Sequence, residues 1–190
     1  IVNYGTLVAG GMSLRSDRLI NSNQIQGNFG SVNLEGRDVK FLGTNSILAY
    51  GDIILSGKDL YLTNSTLIAG TNVAGNSLSN AAGSLVIAFT NSVNDGGLTN
   101  NVWLVNQGFS IAKKAQTGDL LTTTISSQVP PFGESIHSSA ATDYGVDPKG
   151  FVNNMAIGRL VLDGGNFSLF RFSPPAGVTN AALYIDELVL

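Results

Sequence analysis

The residue types suited to chemistry gather in one stretch, Ser126 to Asn154. It carries Pro130-Pro131, the only histidine of the chain, His137, and the acids Glu134, Asp143 and Asp147. Carboxylates on one loop are hard oxygen ligands, so Glu134, Asp143 and Asp147 form the candidate set for a calcium ion. The run Asp143-Tyr144-Gly145-Val146-Asp147 lacks the spacing and the closing Glu of an EF-hand, and no other cofactor is expected. Tyr144 offers a ring face to a sugar, with Asp143 and His137 as hydrogen-bonding partners, which makes these three the candidate ligand-binding residues. Glycoside hydrolysis would need two carboxyls held roughly 5–10 Å apart across a cleft. Glu134 with Asp143, or Asp143 with Asp147, are the candidate pairs, but spacing in sequence does not fix such a separation. Nucleophilic catalysis is poorly served. Ser138 and Ser139 follow His137 directly, there is no Cys, and there is no Gly-x-Ser-x-Gly turn. No catalytic residue is assigned, and the expectation is a protein that is not an enzyme.

The composition points the same way. Only 12% of the 190 residues are charged, about half the usual share, while 43% are hydrophobic and 23 are Gly. Asn, Ser and Thr fill the gap. Such side chains hydrogen-bond along a stack of strands, where like charges in register would repel. Ten Lys and Arg, scattered along a chain of net charge −3, form no basic track for a phosphate backbone, so no nucleic-acid partner is expected. No apolar run approaches the ~18 residues of a membrane helix, and no membrane insertion is expected. The chain begins at Ile1 without Met, which reads as a processed product or an excised piece.

The elements that must position these residues announce themselves by repetition. Val32–Phe41 (VNLEGRDVKF) and Ile53–Leu62 (IILSGKDLYL) match at seven of ten positions, the alternating apolar residues and the Gly-Arg/Lys-Asp corner, and a looser copy runs through Met12, Leu14 and Leu19. A further apolar position recurs at Ile25, Ile47 and Leu67, each after a polar turn. The unit is short strands with alternating apolar residues, separated by Gly, Asn and Asp, with no helical period. This spacing of about 21 residues predicts the coils of a right-handed parallel β-solenoid over residues 1–80. Arg37 and Lys58 would stack beside Asp38 and Asp59 as a charge-compensated ladder at a turn.

The repeat fades near Asn76–Gly83. Longer strands are expected at Ser84–Phe89, Val102–Val105, Phe109–Lys113, Leu120–Ile125, Met155–Leu162, Phe167–Phe172 and Ala182–Leu190, with Trp103 in the core. Their spacing and Gly-Gly turns predict an antiparallel, jelly-roll-like β-sandwich over residues 81–190. The fold class expected is therefore all-β, a short solenoid followed by a sandwich, with Ser126–Asn154 as one long loop.

Within residues 84–190 four segments stand together: Gly118-Asp119-Leu120-Leu121 with His137 following, Gly150-Phe151-Val152-Asn153-Asn154, Gly158–Gly164, and Asn180–Asp186. This set resembles a module of very large secreted or surface repeat proteins, filamentous-haemagglutinin-like or autotransporter-like, from Verrucomicrobiota and related bacteria. The resemblance implies an extracellular or cell-surface location and a structural or adhesive role, and it brings no catalytic residues.

Two readings of function follow. In the first, the chain is a building block of a surface fibre, sheath or filament. It assembles head to tail through its last strand, Ala182–Leu190, with copies of itself or with neighbouring repeats of a longer chain as partners. In the second, it is a carbohydrate-binding adhesin module that holds surface glycans at loop 126–154.

Overall fold

A computed structural model describes residues 1–72, 77–78, 82–97 and 101–190. The chain opens with β1 (Val2–Asn3) and β2 (Leu7–Ala9). Three similar turns of chain follow: β3 (Met12–Asn21) with β4 (Gln24–Gly27), β5 (Val32–Phe41) with β6 (Asn45–Ala49), and β7 (Ile53–Leu62) with β8 (Ser65–Ala69). A small antiparallel pair, β9 (Thr71–Asn72) and β10 (Ser77–Leu78), leads to β11 (Ser84–Asn94) and β12 (Asn101–Val105). Next come β13 (Gly108–Lys113) and β14 (Thr117–Val129), then β15 (Glu134–Ser139), β16 (Ala141–Thr142), a 3-10 turn at Pro148–Phe151 and β17 (Ile157–Gly164). The chain closes with β18 (Leu169–Phe172), β19 (Ala181–Ala182) and β20 (Ile185–Val189). Among the described residues there is no α-helix, and hence no helix long and apolar enough to cross a membrane.

The strands form a coiled, almost wholly parallel sheet. Its main path runs β1-β3-β5-β7-β11-β14-β12-β8-β6-β4-β2. Each of β3, β5, β7 and β11 turns a corner midway, so one strand serves two faces. Leu85–Phe89 of β11 pair with β13, while Ser92–Asn94 pair with the start of β14. The third face is built from β2, β4, β6, β8 and β12, followed by the later part of β14, then β17 and β20.

Period-2 alternation sends every second residue inward, and parallel register stacks each on its counterpart one coil away. On the third face Leu7, Ile25, Ile47, Leu67, Trp103, Ile125, Leu160 and Leu188 form one column. On the first, Met12, Val32, Ile53, Leu85 and Phe109 form another. The middle members are fully buried, and they belong to a single hydrophobic core that runs the length of the molecule. Truncating one such Leu or Ile to Ala costs about 2–5 kcal/mol in close-packed cores. The inner corner is polar, and its groups are hydrogen-bonded except the buried Oδ1 of Asn45. Asn45 stacks on Ser65. The Ser65 hydroxyl donates to Asn101 Oδ1 at 2.6 Å, and Trp103 Nε1 donates to Ser65 Oγ at 3.3 Å.

The all-β class and the parallel solenoid are as the repeat predicts, and Trp103 is buried as expected. The pairing in the second half differs from expectation. The main ladders over residues 84–189 are parallel, not antiparallel, and β11 pairs with β7 directly across the expected junction. An antiparallel sandwich and a solenoid share the same alternation, so pattern alone does not separate them. Fixed spacing does, and here it is lost. Val32 to Ile53 spans 21 positions, but Ile53 to Leu85 spans 32, Leu85 to Phe109 spans 24, and His137 to Phe172 spans 35.

Corners bring backbones close. Gly118 has φ +110°, and a Cβ there would lie 1.6 Å from the Val93 carbonyl oxygen. Gly118→Ala is expected to lose about 2–4 kcal/mol in urea unfolding. Gly5→Ala, with nothing within 4 Å of the new methyl, is expected to stay within about 0.5 kcal/mol of the parent.

Candidate functional site

The expected loop Ser126–Asn154 is largely coil wall. Ser126–Val129 complete β14 and Glu134–Ser139 form β15, leaving the irregular part after Thr142. The candidate residues are dispersed over different surroundings. Glu134 lies on the outer surface, ion-paired with Arg171 of the next coil at 2.6 Å. Asp143 accepts from the Gly145 N–H at 2.8 Å in a tight turn. Asp147 caps the 3-10 turn, accepting from the Lys149 N–H at 2.9 Å. Among the described residues no three His, Asp or Glu side chains come together as ion ligands, so Glu134, Asp143 and Asp147 do not form a shared calcium cage. Tyr144 is 47% exposed.

His137 is fully buried. It occupies the inner column of the first face, stacked on Phe109 at 4.7 Å between ring centroids and against Phe172 at 5.2 Å. Its Nε2 lies 3.0 Å from Ser135 Oγ. Nδ1 has no hydrogen-bond partner. Burial alone pushes its pKa down to about 4, so it is a neutral ring at ordinary pH.

The irregular segment is fastened by residues whose roles are invisible in the pattern. Asp119 accepts from the backbone N–H groups of Asn153, Asn154 and Ala156 at 2.6, 2.7 and 3.1 Å. Asn154, buried, bonds both backbone groups of Thr142 and the Gly150 carbonyl. The Tyr184 hydroxyl accepts from the Tyr144 N–H at 2.7 Å and donates to the Gly145 carbonyl at 3.0 Å. The segment is thus clamped to β14 on one side and to the final coil on the other.

The outer faces carry ion pairs between adjacent coils: Arg15 with Glu35, Arg37 with Asp17, Arg18 with Asp38, and Arg159 with Glu187. The groups are largely exposed, and each pair adds little stability. Asp59 shows how the ladder treats its carboxylates. Its slight burial acts to raise its pKa, but hydrogen bonds from Ser92 and Asn91, with Lys58 and Lys40 nearby, hold it below the ordinary value. A carboxyl kept ionised in this way is not poised to donate a proton.

Among the described residues, unpaired strand edges stand at the two ends of the stack. β1 and β2 pair only inward, with β3 and β4, and β18 and β20 pair only inward, with β15 and β17. There the inner columns open to solvent. Leu7, Met12 and Leu14 are only partly buried at one end. At the other, Phe172 is 46% exposed and Leu188 is 51% exposed.

Asp119→Asn weakens three acceptor bonds at once. Its expected outcome is a loss of about 1–3 kcal/mol confined to residues 143–156, measured as faster amide exchange there with β3–β8 unchanged. Comparison with protein-family models, with curated proteins and with solved structures found no match.

Proposed function

We propose that the chain is a non-catalytic structural module of the cell exterior, a building block of a surface fibre, sheath or filament that lengthens by laying the open end of one copy on the open end of the next. One observation carries this reading. The same three-faced stack of parallel strands ends at both extremities with unpaired strand edges and partly exposed inner-column residues. A solenoid coil buries its apolar side only against another coil, so each outermost coil is a surface that gains from being covered by a further one.

A second copy is the occupant that fits. Placed head to tail, Phe172 continues toward Met12 and Leu188 toward Leu7, aromatic and aliphatic side chains meeting their own kind in the columns they already occupy. The two contacting surfaces are different, so the contact is heterologous and repeats into an open array. The dispersed carboxylates, the buried neutral histidine and the charge-compensated outer ladders suit a scaffold better than a reaction centre. The low share of charged residues also limits repulsion between copies brought into register.

Sedimentation velocity and electron microscopy across a concentration series test this. The wild type is expected to form linear particles that lengthen with concentration. Leu188→Asp, which places a charge in the column at the open end, is expected to remain a folded monomer. Monodisperse wild-type monomers at every concentration, or linear particles that persist unchanged in Leu188→Asp, would contradict it.

A further inference from the structure

His137 interrupts an otherwise apolar column one coil below the open C-terminal end. Phe109 lies beneath it and Phe172 above it, and Phe170 sits to the side at 6.2 Å. Among the described residues the side-chain hydrogen-bond partner of His137 is a hydroxyl. Ser135 Oγ meets Nε2 at 3.0 Å and is itself 3.4 Å from Ser127 Oγ. A neutral imidazole can be accommodated with one such partner. An imidazolium has two N–H donors, and the one at Nδ1 faces no acceptor.

Among the described residues no ionised group faces the ring to offset a positive charge: β14 brings Ser127 near, and the covering segment brings Ser173, Pro174, Ala182 and Leu183. From its own strand come Ser135 and Ser139. From β13 come Phe109 and Ile111, and from β18 Phe170 and Phe172. The nearest charged side chains on these strands, Glu134 and Arg171, pair with each other at the surface. The flanking phenyl faces would return part of the cost of a buried cation, and burial remains the sole cause of the ring's lowered basicity.

What covers the ring is lightly held. A cavity of about 160 Å³ lies between His137, Ser139 and Phe172 on one side and Pro174, Ala182 and Leu183 on the other. The covering segment is attached there by the Ser173 N–H to the His137 carbonyl at 3.0 Å and by the two-residue pairing of β19 with β16. Releasing the last coil also breaks the ladders of β18 on β15 and of β20 on β17 and the Tyr184 contacts, but it leaves every earlier coil paired, which is the condition for a local transition below global unfolding.

We propose that His137 is an acid-released lock on the stacking end. Neutral, it completes the column and holds β18 and the chain up to β20 in place; charged, it drives that last coil off and removes the surface on which a second copy is laid. The inference rests on the stacking reading. Its sign follows from linkage. The folded-state value, about 4, lies below the ordinary 6.5. The contribution of the neutral ring is therefore complete above pH 6.5 and is lost as pH falls through that window toward 4.

Because His137 is the only histidine, its ring resonances titrate without overlap. The experiment follows them by NMR in the monomeric Leu188→Asp chain, together with amide exchange of residues 134–139 and 169–189 at pH 7 and pH 4. His137→Phe and His137→Leu run in parallel, and assembly of otherwise wild-type chains is scored at both pH values. The expected result is a ring that titrates well below 6.5 and an opening of the last coil favoured roughly a hundredfold at pH 4. The opening is expected to vanish in whichever apolar variant folds, and that variant is expected to keep assembling at pH 4. Titration near 6.5 with the coil intact, or equal acid opening in the apolar variants, would overturn the lock. An opening that depends on His137 in a chain that never assembles would support the lock and sink the stacking reading.

Discussion

Every coil of this protein depends on its neighbour to bury its apolar side. A single coil encloses no core of its own, because its inward residues have only the coil above and the coil below to touch. The parallel register makes that contact specific. One step along the stack carries Ile47 to Leu67, Leu67 to Trp103 and Trp103 to Ile125, like on like, with the polar corner of Asn45, Ser65 and Asn101 kept in its own column. Stability is then close to a sum of nearest-neighbour interfaces. The middle coils are rigid because they have two, and the ends are incomplete because they have one.

The same dependence explains which parts of the fold are legible in the sequence. Over residues 12–69 the coils are of nearly constant length and most of their inward positions are Leu, Ile, Val, Phe or Ala, so both period and polarity announce them. Beyond residue 69 the coils are of unequal length, and one of them hosts the clamped segment after Thr142. The period disappears although the parallel pairing does not. β15 is the clearest case. Its inward residues are Ser135, His137 and Ser139, so a buried strand presents itself as a polar loop. The histidine that looks like a ligand for solvent-borne partners is the member of a core column.

The candidate site shows a related limit. Glu134, Asp143 and Asp147 lie close in sequence, and the chain uses them one by one: an ion pair, a tight turn and a cap. The groups that organise the region, Asp119 and Tyr184, sit in other coils, 35 positions from Asn154 and 40 from Tyr144. Their partners exist only once the coils have stacked. Carboxylates that serve backbone N–H groups and neighbouring cations are spent on holding the wall. Among the described residues, strand edges and inner columns meet solvent at the outermost coils.

One parallel stack runs from β2 to β20. Gln24, Ser46, Thr66, Val102, Thr124 and Arg159 occupy a single outer column in consecutive coils. The chain has no cysteine, so spin labels at Gln24→Cys and Arg159→Cys report on nothing else. Five coil steps of roughly 4.8 Å place the labelled backbones about 24 Å apart. A single narrow distance distribution near that value, widened only by the label arms, is the result expected of the continuous stack. A broad distribution, or a distance set by two bodies that do not share a column, would contradict it.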